Sequence, residues 1–311
     1  MFFNFERFYI TSLGIVFGAF PFLLLGVVVA TAIQLYGKKE WFALLTRSHP
    51  ILSHLYIALF GLFIPVCECG NIPIIKKLMI RGFSLSHAVT YLLAAPIVNP
   101  VTIFTTYQVF SDYPGLVAFR IVGGLILSII IGMSFIAIGN PRQFLVPSLK
   151  REIELDEESN NSHSGHGHNH KNKIEEFSSH FIVELVETFK YLFVGSIIAA
   201  FVQTAVPREF FVQIGSNPLL SLLVMILFAF VIAVCSNVDA FIALSFSNVF
   251  SNASLLGFLV FGPMMDIKTV SMLRSIFTNK FIAMLTAMIF TGTIVLVYCY
   301  YLVNLIGIVG F

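Results

Sequence analysis

The sequence predicts an all-α polytopic membrane protein with about eight transmembrane helices in two related halves. Composition and the placement of charge carry that expectation. The 311 residues are 58% hydrophobic and 11% charged, with 34 Phe against one Trp. Mean hydropathy is +0.92, whereas soluble domains are about 25% charged. A globular surface is already roughly 55–60% apolar, and this chain has few charges to dilute it, so its remaining solvent is lipid. Charge is also unevenly placed: 12 of the 34 charged residues fall within 140–176, leaving about 8% elsewhere. A formal net charge of +2 and the lack of a basic stripe with interleaved aromatics give no sign of a nucleic-acid partner, and none is expected.

The apolar runs are measured against a bilayer core of about 30 Å, which takes about 20 helical residues. Tyr9 to Leu35 qualifies outright, and Ile51 to Val66 is a second, shorter run. Ser84 to Phe110 is long enough to cross, but Pro96 and Pro100 interrupt it by removing two backbone donors. Val117 to Ile138 closes a first half, 1–138. Residues 139–179 read as a polar, His-rich linker whose composition cannot bury a core. The second half, 180–311, repeats the plan with Phe181 to Val206, the short run Leu219 to Val234, an interrupted stretch from Asn237 to Met265, and Phe281 to Ile306. Broken or re-entrant helices are expected near 67–73, 95–100, 235–239 and 262–266.

Two landmarks relate the halves. Cys67-x-x-x-Asn71 corresponds to Cys235-x-x-x-Asp239 at an offset of 168, and Pro96-x-x-Asn99 to Pro263-x-x-Asp266 at 167. Transporters built from two repeats place substrate near the midplane, where discontinuous helices line a cavity. Whether these repeats are parallel or inverted depends on the parity of crossings per half, which the sequence leaves open.

The candidate translocation residues follow from those breaks: Cys67, Glu68, Cys69, Asn71, Pro73, Pro96, Asn99, Asn237, Asp239 and Asp266. Thiolates are soft donors that suit Cu(I), Zn(II) or trivalent metalloid centres. On a continuous helix, residues two apart diverge by about 200°, so the Cys-x-Cys pair needs a turned backbone, which Gly70 and Pro73 favour. Ionisable groups inside a span are costly and face the bundle interior. Asp239 and Asp266 could therefore bind a cation, carry protons, or pair with Lys268 and Arg274. Lys76, Lys77 and Arg81 read as topology determinants. Cys299 reads as packing. His163, His166, His168 and His170 could together hold a borderline cation such as Zn(II), and a neutral linker is the alternative.

No P-loop glycine pattern, H-E-x-x-H or G-x-S-x-G occurs, which argues against an ATP-driven pump and the commoner hydrolases. No enzyme activity and no cofactor are expected. Four cysteines embedded in apolar sequence do not make a secreted disulfide framework.

The run Pro65-Val-Cys67-Glu-Cys69-Gly70-Asn71-Ile-Pro73, the basic patch after it, and Ala95-Pro96-Ile-Val-Asn99-Pro100 resemble the predicted-permease family that includes bacterial organoarsenical efflux permeases. The resemblance covers nearly the whole chain outside 139–179, and the His-rich segment departs from the simplest family pattern. It implies a multi-pass bacterial inner-membrane permease of about eight helices whose characterised members export trivalent methylated arsenicals. The expected function is a secondary permease exporting a small soft-ligand-binding solute or a metal or metalloid species. The alternatives are a divalent-metal permease using the His-rich loop, or a membrane thiol-redox or assembly protein using Cys67 and Cys69. The expected partners are the lipid bilayer and a small solute or ion, with a membrane partner protein or a homo-oligomer left open.

Overall fold

The computed structural model describes residues 5–36, 49–63, 66–138, 141–161, 173–205 and 218–305. His163, His166, His168 and His170 lie outside the described residues. Within them the chain is helical and contains no strand, only an isolated bridge between Leu145 and Phe277.

Among the described residues, five helical stretches are long and apolar enough to cross a membrane: Phe5–Leu35, Pro114–Ala137, Phe177–Thr204, Asn252–Leu273 and Asn279–Leu305. Leu85–Val98 and Pro100–Val109, bent by 42°, make a sixth if counted as one span. The described residues thus hold five or six candidate spans, and the expected count of eight is not confirmed. The two short runs are the ones that fall below the length of a span. Pro50–Phe60 has 11 residues, about 16 Å of helix at 1.5 Å per residue, and Pro218–Ile232 has 15. Neither matches a core of about 30 Å.

The first half begins with α1 (Phe5–Tyr36), followed by α2 (Pro50–Phe60), α3 (Glu68–Ile80), α4 (Leu85–Val98) and α5 (Pro100–Val109). It closes with α6 (Pro114–Ala118), a π-helical turn (Phe119–Gly123) and α7 (Gly124–Ser134). Helices α2 and α3 form a re-entrant hairpin. At its outer end Ser53 Oγ lies 3.0 Å from His87 Nε2 and His54 Nε2 lies 2.6 Å from Ser86 Oγ. Its other arm ends at Ile80, just before Ser84, which caps α4 by accepting the His87 backbone N–H. Both arms thus begin and end beside the start of α4. The tip lies against the far end of α4: Gly61 packs on Ala95, and Asn99 Nδ2 donates to the Val66 carbonyl at 3.3 Å.

After α8 (Pro147–Asn161), the second half holds α9 (Lys173–Ala205), α10 (Pro218–Ile232), α11 (Asp239–Leu244), α12 (Asn252–Met264), α13 (Ile267–Leu273) and α14 (Asn279–Leu305). Helices α10 and α11 make a second hairpin. Ser221 and Ser254 are 2.7 Å apart at the starts of α10 and α12, and α11 returns the chain to Ser251, the N-cap of α12.

The two hairpins enter from opposite ends of the molecule. The π-turn and α7 run antiparallel to α14, with the Phe135 ring tilted against Phe281 and the Phe119 ring edge-on to Tyr300, both at 5.2 Å between centroids. The start of α4 lies at the Phe135 end, where Ser86 Oγ donates to the Gly132 carbonyl at 2.8 Å. The start of α12 lies toward the Tyr300 end, where Gly257 approaches Val297. Among the described residues, and with the bent α4–α5 counted as one, the candidate spans fall three to a half: α1, α4–α5 and α6–α7 in the first, and α9, α12–α13 and α14 in the second.

Helix bounds recur at the offsets seen in the sequence. Pro50 and Pro218 open α2 and α10, Ser84 and Ser251 cap α4 and α12, and Asn99 and Asp266 cap α5 and α13.

Within 139–179, the described residues around Phe144 to Ile153 are packed against the rest of the fold, which their composition did not lead one to expect. Leu145 and Leu149 are buried, with Ile153 packed against the core. Leu149 and Ile153, four residues apart, lie on one face of α8, and Leu145 precedes that helix. Val146 N–H donates to the Ile276 carbonyl at 2.9 Å and Thr278 N–H to the Phe144 carbonyl at 2.8 Å. The basic end of α3 docks on the same region. Lys76 lies 3.1 Å from Glu152 and 2.7 Å from Glu187, and Lys77 lies 2.7 Å from Glu184. Arg81 faces Asp156 at 3.8 Å. The lysines expected only to set topology are thus buried in ion pairs that hold the outer end of the first hairpin.

Candidate functional site: the meeting of two hairpin tips

Close backbone contact places the first tip at the centre. A Cβ on Gly70 would sit 2.6 Å from the Phe22 carbonyl of α1, and one on Gly26 would overlap the Gly70 backbone. Only glycine lets α1 and α3 cross this closely. The α3 N-terminus is thereby fixed against α1.

Cys67 is the extended N-cap of α3 (φ −74°, ψ 173°), and its carbonyl accepts the Gly70 and Asn71 N–H groups at 3.0 and 3.2 Å. The non-helical backbone expected over 67–73 is therefore confined to its first residue; Glu68 to Pro73 are helical. Pro73 is accommodated in the second turn, at the cost of the bond it would have donated to Cys69. The extended cap is what frees Cys67 from the 200° divergence. Its thiol lies within 4.8 Å of the Cys235 thiol.

The second tip supplies Cys235. After α10, Ala233 takes a left-handed conformation (φ 47°), a strained choice for a residue with a Cβ. That turn leads directly into Cys235, Ser236 and Asn237. The ligand atoms of Cys67, Glu68 and Cys235 all lie within 4.8 Å of one another. Ser236 Oγ donates to Glu68 Oε2 at 3.5 Å, and Cys235 Sγ lies 3.8 Å from the same oxygen. Glu68 Oε1 accepts from Lys268 Nζ at 2.9 Å, and that ammonium also lies 3.4 Å from the Ala233 carbonyl and 3.7 Å from Asp266 Oδ2.

Not all the sequence candidates converge here. Asn71 is buried one turn beyond Cys67 with neither side-chain amide atom hydrogen-bonded. Pro96 is inside α4, and the interruption falls at Asn99, whose Oδ1 accepts from the Val101 N–H at 2.9 Å. Asp266 likewise caps α13 through the Thr269 N–H. Asn237 Oδ1 accepts from Thr102 Oγ1 at 3.2 Å, joining the second tip to α5. Asp239 is engaged elsewhere, in a two-oxygen pair with Arg120 Nη2 at 2.8 and 2.6 Å, while Arg120 Nη1 donates to Thr106 at 2.8 Å. Arg274, weighed as a partner for the acids, is exposed at the end of α13.

Sequence reasoning omitted Cys235, Lys268 and Arg120 from its site. The signal for Arg120 was present as a lone cation in the apolar run Val117 to Ile138. Lys268 was weighed only as a partner for the acids, and Cys235 only as a repeat landmark.

A cavity of about 390 Å³ between α1 and α9 reaches the cluster, with Gly14, Gly18 and Gln203 on its walls and Cys235, Asn237 and Lys268 at its inner side. Chemically, the site offers soft sulfur donors, one carboxylate and a buried ammonium.

Apolar spanning helices, re-entrant hairpins and a buried polar centre define a multi-pass membrane protein of the permease class. The sequence profile described as "Predicted permease" matches residues 4–302, and the chain belongs to that family. It is 40% identical over 275 residues to UPF0718 protein YcgR of Bacillus subtilis, covering 88% of this chain and 90% of the relative. It is 33% identical over 292 residues to a Streptococcus mutans protein provisionally named a two-component membrane permease complex subunit, covering 92% of each. No solved structure gives a significant match. The chain is a multi-pass protein of the bacterial cell membrane.

Proposed function

We propose that the protein is a secondary permease that exports a soft metal or metalloid species through the site formed by Cys67, Glu68 and Cys235, with Cys69 beside them. One observation carries the reading: thiols from two hairpins that enter from opposite ends meet at a buried carboxylate. Sulfur donors select soft cations, and a charged group at this depth is costly unless it has a role. The unpartnered amide of Asn71 adds a donor and an acceptor that cargo or its water can satisfy.

We read the two halves as an inverted repeat. Support comes from the recurring caps and from three candidate spans per half, since an odd number of crossings reverses the second copy. Repeat-equivalent residues also meet: Cys67 with Cys235, and Glu68 with Ser236, 168 positions apart. Rocking of one repeat against the other would expose the central site alternately to the two sides.

The reading is tested in a strain lacking the gene, loaded with Cu(I), Zn(II), Cd(II) or trivalent arsenicals. The wild-type chain is expected to lower accumulation of at least one of them, and the Cys67→Ser/Cys235→Ser variant to lower none. Equal protection by both proteins would overturn the thiol site. A membrane partner is carried over from the name of the S. mutans relative as a proposal. A second membrane subunit is expected to co-purify with the tagged chain, and isolation of an active transporter from this chain alone would exclude that requirement.

A further inference from the structure

Lys268 holds the carboxylate that the proposed cargo needs. Its side chain is 2% exposed, and Nζ donates to Glu68 Oε1 at 2.9 Å. A cation bound by Cys67, Glu68 and Cys235 would place a second positive charge beside this ammonium in a low-dielectric interior, where like charges repel strongly. The ammonium has a second seat. Asp266 Oδ2 lies 3.7 Å from Nζ, is buried, and has no hydrogen-bond donor, because the cap to Thr269 uses Oδ1. That separation is within about 1 Å of an ordinary hydrogen bond.

The backbone of Lys268 is held while its side chain has this choice. Gly195 of α9 packs on it so closely that a Cβ there would lie 3.1 Å from the Lys268 Cα. Asp266 caps α13 at the break from α12, so a transfer of the ammonium changes the charge balance at that break.

We propose that Lys268 is a tethered cation that competes with cargo for Glu68 and moves onto Asp266 when cargo takes that carboxylate. The inference rests on the thiol-site reading and adds to it a selectivity and coupling element. Glu68 and Asp266 set two carboxyl groups against the one ammonium of Lys268, so the centre favours positive charge and rejects oxyanions. Each cargo ion must also displace the ammonium, and each release lets it return, which keeps binding reversible.

The test uses the full-length protein in detergent with Cd(II), followed by thiolate-to-metal absorption under chelator competition. Lys268→Met is expected to bind Cd(II) about tenfold tighter than wild type, the scale at which outer-shell partners tune metal sites. Asp266→Asn is expected to bind about tenfold weaker, because the ammonium loses its second seat. Asparagine retains the cap, so this variant decides the matter even if Lys268→Met does not fold. Unchanged affinity in Asp266→Asn, or weaker affinity in a folded Lys268→Met, overturns the tethered cation. Cys67→Ser/Cys235→Ser separates the two readings. Loss of the absorption there, with no tightening in Lys268→Met, removes the tethered cation and leaves the thiol site standing. Retained absorption removes both.

Discussion

Replacing Arg120 by methionine is expected to destabilise the protein by about 3–5 kcal/mol, the cost of leaving one member of a buried ion pair without its partner. Arg120 is fully buried, and its guanidinium spans both oxygens of Asp239 and the Thr106 hydroxyl. Those contacts tie the second hairpin to α5 and to the π-turn before α7. Removing the arginine leaves the Asp239 carboxylate buried and uncompensated. A large drop in thermal midpoint in detergent checks this, and an unchanged midpoint would refute it. Arg120→Met/Asp239→Leu is expected to regain most of the loss, because a buried pair exchanged for apolar side chains is often neutral or stabilising. The double variant also tests the role expected of Asp239 from sequence. If it transports normally, Asp239 is a structural anchor for the second hairpin and not a carrier of cation or proton.

The second large effect is expected at the thiols, and the order of the variants matters more than their size. Cys67→Ser and Cys235→Ser should each weaken Cd(II) binding by on the order of a hundredfold, since hard hydroxyls replace soft donors. Cys69→Ser should cost less, because Cys69 does not belong to the group of ligand atoms within 4.8 Å. Sequence spacing alone favours the opposite order, with Cys67 and Cys69 as the pair and Cys235 apart. Chelator competition on the three single variants checks it. A Cys235→Ser protein that binds as tightly as wild type would return the site to the Cys-x-Cys pair.

Several elements were legible because their causes are local. Ser84 and Ser251 stand at helix starts where a side-chain oxygen can accept a backbone N–H, and Pro50, Pro100 and Pro114 take first-turn positions where their missing donor costs nothing. The interruption at Asn99 followed from two prolines. Asp266, suspected as a costly charge in a span, does sit beside Lys268. Other features misled for equally physical reasons. The runs Ile51 to Val66 and Leu219 to Val234 are as apolar as spans, but an apolar run does not say whether its helix leaves on the far side or folds back. Gly70 and Pro73 suggested an open backbone; packing against α1 makes that glycine a helix-crossing contact instead. The acidic segment after Ser148 looked solvated, but Glu152 and Asp156 face Lys76 and Arg81 of a helix about 75 residues away in sequence.

By itself the sequence determined the solvent, the helical class, the family and the short list of polar residues that a membrane would not tolerate idly. Each of these depends on composition or on contacts within a few residues. Only the tertiary structure decided that two of the apolar runs fold back as hairpins, and that Cys67 meets Cys235 while Asp239 is taken by Arg120. Those outcomes depend on which faces pack together across more than a hundred residues of chain. That choice is set by shape, such as the glycine crossing of α1 and α3, and by the need of every buried charge to find a partner.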